Sequence, residues 1–102
     1  MNLSQQDWKK QLATDENAIV LDVRTAEECL DGIIFNALNI DIYKGQEFIH
    51  QIDELDKSKN YYVYCKAGSR SDQACKIMNE MGFVNTYNLL DGFMNWDDDV
   101  YK

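Results

Sequence analysis

The sequence predicts an α/β fold with a central parallel sheet flanked by helices on both faces. Three observations carry that reading. The runs Ala18-Ile19-Val20-Leu21 and Tyr61-Tyr62-Val63-Tyr64 are continuously apolar or aromatic, as expected of strands buried on both faces. Segments of helical periodicity separate the strands, and alternation of strand and helix favours parallel pairing. Cap and stop residues punctuate the segments: Ser4, Thr25, Gly32, Gly45 and Gly82.

The elements follow in order. Ser4 can cap a helix that runs to about Ala13, Asp7 suits its positive end, and Leu3 and Trp8 stand at the spacing of a hydrophobic staple. Asp15-Glu16-Asn17 is a turn into the first strand, Ala18–Leu21. Thr25 and Glu28 form a capping box for a short helix ending near Asp31-Gly32. Ala37–Ile40 is the second strand. Phe48, Ile49, Ile52 and Leu55 recur at helical spacing after Gly45. Tyr61–Tyr64 is the third strand, Ser69–Met81 a helix closed by Gly82, and Phe83–Leu89 contains the fourth strand. A helical turn over Gly92–Trp96 precedes the acidic run Asp97-Asp98-Asp99, which reads as solvated surface.

The 102 residues suit one domain, and 45% hydrophobic content is enough to build a core. A net charge of −8 without a basic stripe argues against nucleic acid or an anionic membrane as partner. No apolar run approaches the ~18 residues of a membrane helix, and the start MNLSQQDWKK lacks signal-peptide character. The three cysteines, Cys29, Cys65 and Cys75, are an odd set without repeated spacing. Free thiols in a reducing, cytoplasmic setting are the expectation. The cysteines and the single histidine, His50, make a poor metal set, so neither metal nor cofactor is expected.

Ligands of parallel sheets bind beyond the carboxyl ends of the strands. Cys65 lies there, between a strand and the strongest helix, followed by Lys66-Ala67-Gly68-Ser69-Arg70. A thiol at a helix N-terminus meets unpaired backbone N–H groups, and small residues let the backbone curl around it. Lys66 and Arg70 add positive charge. A free cysteine of pKa about 8.5 is mostly thiol at neutral pH; lowering that value by about two units takes roughly 2.7 kcal/mol. A helix end supplies up to ~2 kcal/mol, and a guanidinium could add the rest without a histidine. The plainer alternative is a structural cysteine closing a core strand.

These residues resemble the rhodanese-type sulfurtransferases. LDVRTAEECLDGIIFNALNI is similar to the first motif of that family, CKAGSRS to its active-site loop, and Leu89-Leu90-Asp91-Gly92 through Trp96 to its final motif. The three motifs stand in order from about Leu3 to Trp96. The resemblance implies a rhodanese domain in which Cys65 accepts a sulfane sulfur, becomes a persulfide and passes it on. It implies that backbone N–H groups from Lys66 to Arg70, including Ala67, Gly68 and Ser69, cradle the sulfur. Lys66 and Arg70 would attract a small anionic donor. It places Arg24 at the rim of the site, and Asp22 as structural support bonded to the loop backbone or to Arg70. In the superfamily, six-residue loops go with sulfur transfer, and loops one residue longer with cell-cycle phosphatases and arsenate reductases.

The chain departs from the family pattern where glycine, histidine, isoleucine, proline, glycine, alanine becomes Gly32-Ile33-Ile34-Phe35-Asn36-Ala37, and where a glycine pair becomes Asp91-Gly92. Asn36 must then take any left-handed backbone position. Cys75 and Cys29 read as packing residues, with Cys29 a lesser candidate for a resolving thiol. The expectation is a monomeric sulfurtransferase that uses thiosulfate, a persulfide or a polysulfide as donor and a thiol or protein acceptor. The alternatives are a non-catalytic sulfur-carrier or protein-docking module, and less favourably a cysteine phosphatase or arsenate reductase.

Overall fold

The computed structural model describes residues 1–102. Five strands, β1 (Asn2–Leu3), β2 (Ala18–Asp22), β3 (Leu38–Asn39), β4 (Asn60–Tyr64) and β5 (Asn85–Leu89), form one parallel sheet in the order β1-β5-β4-β2-β3. Four α-helices connect them: α1 (Gln5–Ala13), α2 (Ala26–Cys29), α3 (Gln46–Asp53) and α4 (Ser69–Glu80). Single 3-10 turns stand at Ile42–Lys44 and Phe93–Asn95.

Strand alternation sorts the core into two layers. Leu21, Tyr61, Val63 and Cys65 point to one face, where Phe48 and Ile52 of α3 and Ala74, Cys75 and Met78 of α4 cover them. Val20, Tyr62, Tyr64 and Leu89 point to the other, against Trp8 of α1, Ile34, Phe93 and Trp96. Both central strands are therefore buried on two sides, as their unbroken apolar runs require. Trp8 meets Tyr62, Tyr64 and Trp96 edge-on, with ring centroids 5.7, 6.3 and 5.8 Å away.

Local signals give most of the element ends. The Ser4 hydroxyl accepts from the Asp7 N–H, and both halves of the Thr25–Glu28 capping box form. Asn36 is the one non-glycine residue with positive φ, at +62°. It fills the left-handed position that its short polar side chain tolerates.

Two expectations need correction. The sheet has a fifth strand: Asn2 and Leu3 pair with Asn88 and Leu89 of β5. Two residues before a cap carry no periodicity, so β1 exists only through β5. The second strand is shorter than Ala37–Ile40, because only Leu38 and Asn39 pair with Leu21 and Asp22 at the sheet edge. The acidic run is exposed surface, as expected, with Lys9 2.9 Å from Asp97 and 3.4 Å from Asp98, and Trp96 donating to the Asp99 carbonyl. No helix is long and apolar enough to cross a membrane.

Candidate active site

β4 ends at Tyr64 and α4 begins at Ser69, only four residues lying between them, so Cys65 opens a very tight turn. Gly68 closes the turn at φ +103°. A Cβ on Gly68 would collide with the Leu90 carbonyl oxygen, and one on Gly92 with the Lys66 carbonyl oxygen. The backbone after β5 therefore packs directly on the loop. It also bonds to it: Phe93 N–H donates to the Cys65 carbonyl at 2.8 Å and Met94 N–H to the Lys66 carbonyl at 2.9 Å. These contacts give a physical role to the one glycine that survives in the final motif.

The Cys65 residue is 1% exposed, and its sulfur meets the N-terminal end of α4. Its Sγ accepts from the N–H of Gly68 at 3.1 Å, from the N–H of Ser71 at 3.3 Å and from the Ser71 hydroxyl at 3.3 Å. No other side chain caps α4, so the sulfur itself satisfies an N–H group that the helix start leaves open. Burial pushes the Cys65 thiol up, yet the Ser71 hydroxyl and the N–H groups of Ser71, Gly68 and Ala67 outweigh it and hold the thiol below its ordinary value. The two cations credited from the sequence act less than these hydrogen bonds. Lys66, Ala67 and Ser69 are exposed around the turn.

The two arginines differ sharply from expectation. Arg24 is only 4% exposed and does not line the rim. Its Nε and a terminal nitrogen hold Asp22, the latter at 2.7 Å, and the same terminal nitrogen donates to the Gly32 carbonyl at 2.8 Å. Its guanidinium covers Phe93 at 4.4 Å and Tyr64 at 5.4 Å from the ring centroids. Asp22 is thus structural support, but for Arg24 rather than for Arg70 or the loop backbone. Although burial opposes its charge, the Asp22 carboxylate holds Arg24 firmly protonated.

Arg70 pairs with Glu28, which the sequence singled out only as a cap. Both terminal nitrogens of Arg70 reach the carboxylate, at 2.8 and 3.0 Å, and the guanidinium lies 5.3 Å from the Tyr43 ring centroid. Arg70 pulls the Glu28 carboxyl down to about 2, aided by the capping bonds of Thr25.

Two further residues were missed. Ser71 and Asn88 are buried and bonded to each other, and Asn88 donates to the Gly68 carbonyl at 3.1 Å and to Asn2 at 2.9 Å. The available signal was a polar residue at an inward-facing position of β5. Tyr64 packs in the opposite layer, its hydroxyl accepting from Ile34 N–H at 3.1 Å. Cys29 donates to Asp22 at 3.3 Å, and burial followed by that carboxylate pushes its thiol up to about 12. Burial likewise pushes the Cys75 thiol up to about 11. His50 is exposed on α3. No three His, Cys, Asp or Glu side chains are grouped to hold a metal ion.

A cleft of about 610 Å³ lies elsewhere, between α1 and the C-terminal segment, lined by Leu12, Ile34, Trp96 and Tyr101 among others. The thiol cradle, not cavity size, locates the candidate site.

Known proteins share this fold. YtwF of Bacillus subtilis, provisionally named a sulfurtransferase, is 34% identical over 92 residues, covering 90% of this chain and 85% of YtwF. A protein of Allochromatium vinosum named sulfurtransferase is 28% identical, covering 92% and 85%. Longer proteins also align: a tRNA uridine(34) hydroxylase of Legionella pneumophila is 34% identical, but the chain covers only 39% of it. The crystal structure of a rhodanese-like domain protein from Staphylococcus aureus superposes with a TM-score of 0.83 at 25% identity, covering 99% of this chain and 97% of that one. Residues 5–99 match the rhodanese-like domain as a family, and the chain belongs to that family of sulfurtransferases.

Proposed function

We propose that Cys65 is the sulfur carrier of a sulfurtransferase, and that the chain acts as a single, monomeric domain in a reducing compartment. The observation that carries the reading is the donor set around Sγ: two backbone N–H groups and a hydroxyl within 3.3 Å, with no carboxylate among the partners. Such a set stabilises a thiolate without a histidine. It also suits a single sulfur atom better than a phosphoryl group, whose oxygens would need a wider loop.

With thiosulfate, the Cys65 thiolate attacks the outer sulfur, the donor S–S bond breaks, and sulfite leaves with the bonding pair. A persulfide or polysulfide donor would instead release a thiolate or a shorter polysulfide. An acceptor, cyanide in the test tube or a low-molecular-weight or protein thiol in the cell, then attacks the outer sulfur of the Cys65 persulfide and regenerates the thiolate. Backbone N–H groups of Gly68 and Ser71 and the hydroxyl of Ser71 steady the charge on Sγ whenever it is a thiolate, before the attack and after release to the acceptor. Lys66, exposed at the loop, is the cation free to meet an incoming anion.

Intact-mass measurement after thiosulfate or persulfide treatment tests this. The wild-type chain gains one sulfur atom, and Cys65→Ser gains none while keeping its fold. Retained sulfur transfer in Cys65→Ser overturns the assignment. The second reading, a sulfur-carrier or docking module, draws on the deep burial of Cys65. It predicts the same mass gain without turnover by an acceptor.

A further inference from the structure

Arg70 and Lys66 are the two cations of the loop, yet they are not equally available. Lys66 is exposed and forms no ion pair. Arg70 is committed. Its guanidinium grips Glu28 with two parallel bonds of 2.8 and 3.0 Å, and Tyr43 lies against it. A fork of this kind is geometrically specific.

Glu28 is held from its other side as well. Its Oε1 accepts from the N–H and the hydroxyl of Thr25, at 3.2 and 3.1 Å. The carboxylate is thereby tied to the start of α2, and it stays ionised at every pH above about 2. The guanidinium charge is cancelled at the rim where a donor would meet it. Once the Cys65 thiolate forms, two cations and two anions balance around the loop. A donor carrying two negative charges gains little from entering such a site.

We propose that Glu28 is a specificity-determining residue that disfavours dianionic donors such as thiosulfate. It favours donors whose sulfane sulfur hangs from carbon and carries at most one charge, that is, organic persulfides. Tyr43, 69% exposed beside the guanidinium, offers apolar surface to the carbon part. The inference rests on the sulfurtransferase reading above. In the favoured step the Cys65 thiolate attacks the terminal sulfur of the persulfide RSSH, the donor S–S bond breaks, and RS⁻ departs. Cys65 is left as its persulfide, which keeps the donor's terminal proton.

The test compares thiosulfate with the persulfide of mercaptoethanol, using cyanide as acceptor for both. Glu28→Gln removes the charge but keeps an oxygen for the Thr25 cap. It should raise kcat/KM for thiosulfate roughly three- to tenfold, chiefly through KM, and leave the persulfide within about twofold. The gain should shrink as salt rises. Arg70→Ala gives an independent readout, needing no change at α2. Because this variant leaves the Glu28 carboxylate unpaired beside the loop, it should lower thiosulfate turnover more than persulfide turnover.

Sulfur uptake by the wild-type chain with an unaltered donor ratio in Glu28→Gln overturns this inference alone. So does an Arg70→Ala loss that is equal for the two donors. If the wild-type chain takes sulfur from neither donor, the sulfurtransferase reading falls and this inference with it.

Discussion

The ends of β2 and β4 lie side by side, Asp22 paired with Tyr64, and each brings a cysteine near an arginine. At the β2 end, Cys29 sits 3.9 Å from an Arg24 nitrogen, yet its thiol is pushed up to about 12. At the β4 end, Cys65 is more deeply buried, yet its thiol is held below the ordinary value. Proximity to a guanidinium therefore does not make a thiolate. The decisive difference is the nearest hydrogen-bond partner. Cys29 donates to a carboxylate, which rewards the protonated form, whereas Cys65 accepts from N–H and O–H groups, which reward the ionised one.

The largest expected effect separates the two arginines. Arg24→Ala would strand the fully buried Asp22 carboxylate, and breaking a buried pair from one side costs about 3–5 kcal/mol. The Arg70–Glu28 pair is partly solvated, so Arg70→Ala should cost about 1 kcal/mol or less. Urea unfolding of both variants decides the matter. Equal losses would mean that Arg24 is no more structural than Arg70.

Gly68→Ala comes next. It adds left-handed strain at φ +103° to a collision with the Leu90 carbonyl, a backbone atom that cannot step aside. Together these should cost roughly 2–4 kcal/mol and spread the sulfur cradle. Gly45→Ala is the matched control. Its φ is +58° with nothing within contact distance, so strain alone should cost about 1–2 kcal/mol. Matching losses in thermal unfolding would show that the approach of Leu90 does not shape the loop.

Sequence signals reached the fold unevenly, and for physical reasons. Caps at Ser4 and Thr25, the stop at Gly82 and the double burial of β2 and β4 are local properties, written in neighbouring residues. So was the left-handed bend at Asn36, once proline and glycine were seen to be missing there. β1 was not legible, because two residues acquire strand character only through β5. At the site, Cys65 and its loop were legible from position alone, but the partners of the charges were not. Asp22 chose Arg24 and Arg70 chose Glu28, and each choice depends on how α2 and the loop after β4 meet in space. Ser71 and Asn88 escaped because a buried hydroxyl and amide show their use only when the acceptor they surround is known.

Ser71 carries the smallest of these effects and the sharpest test of the opening contrast. Its single hydroxyl proton faces three acceptors: Cys65 Sγ, the Gly68 carbonyl and Asn88 Oδ1. When Cys65 is a thiol, the proton can serve Asn88 or Gly68; when it is a thiolate, the proton serves the sulfur. Ser71→Ala removes a donor that only the charged form needs, so the thiol pKa must rise. A hydrogen bond to a charged group is worth roughly 1.5–3 kcal/mol, or about one to two pKa units. The pH midpoint of iodoacetamide labelling at Cys65 should move up accordingly. The sign for stability follows. A depressed thiol pKa adds stability that is full above the unfolded value and is lost as pH falls through the folded one. Ser71→Ala should therefore lose more stability at alkaline pH than at pH 6. Asn88→Ala removes a competing acceptor and should move the labelling midpoint down. An upward shift in Asn88→Ala would mean that the Ser71 proton is not shared, and an unmoved midpoint in Ser71→Ala would mean that the backbone N–H groups alone distinguish Cys65 from Cys29.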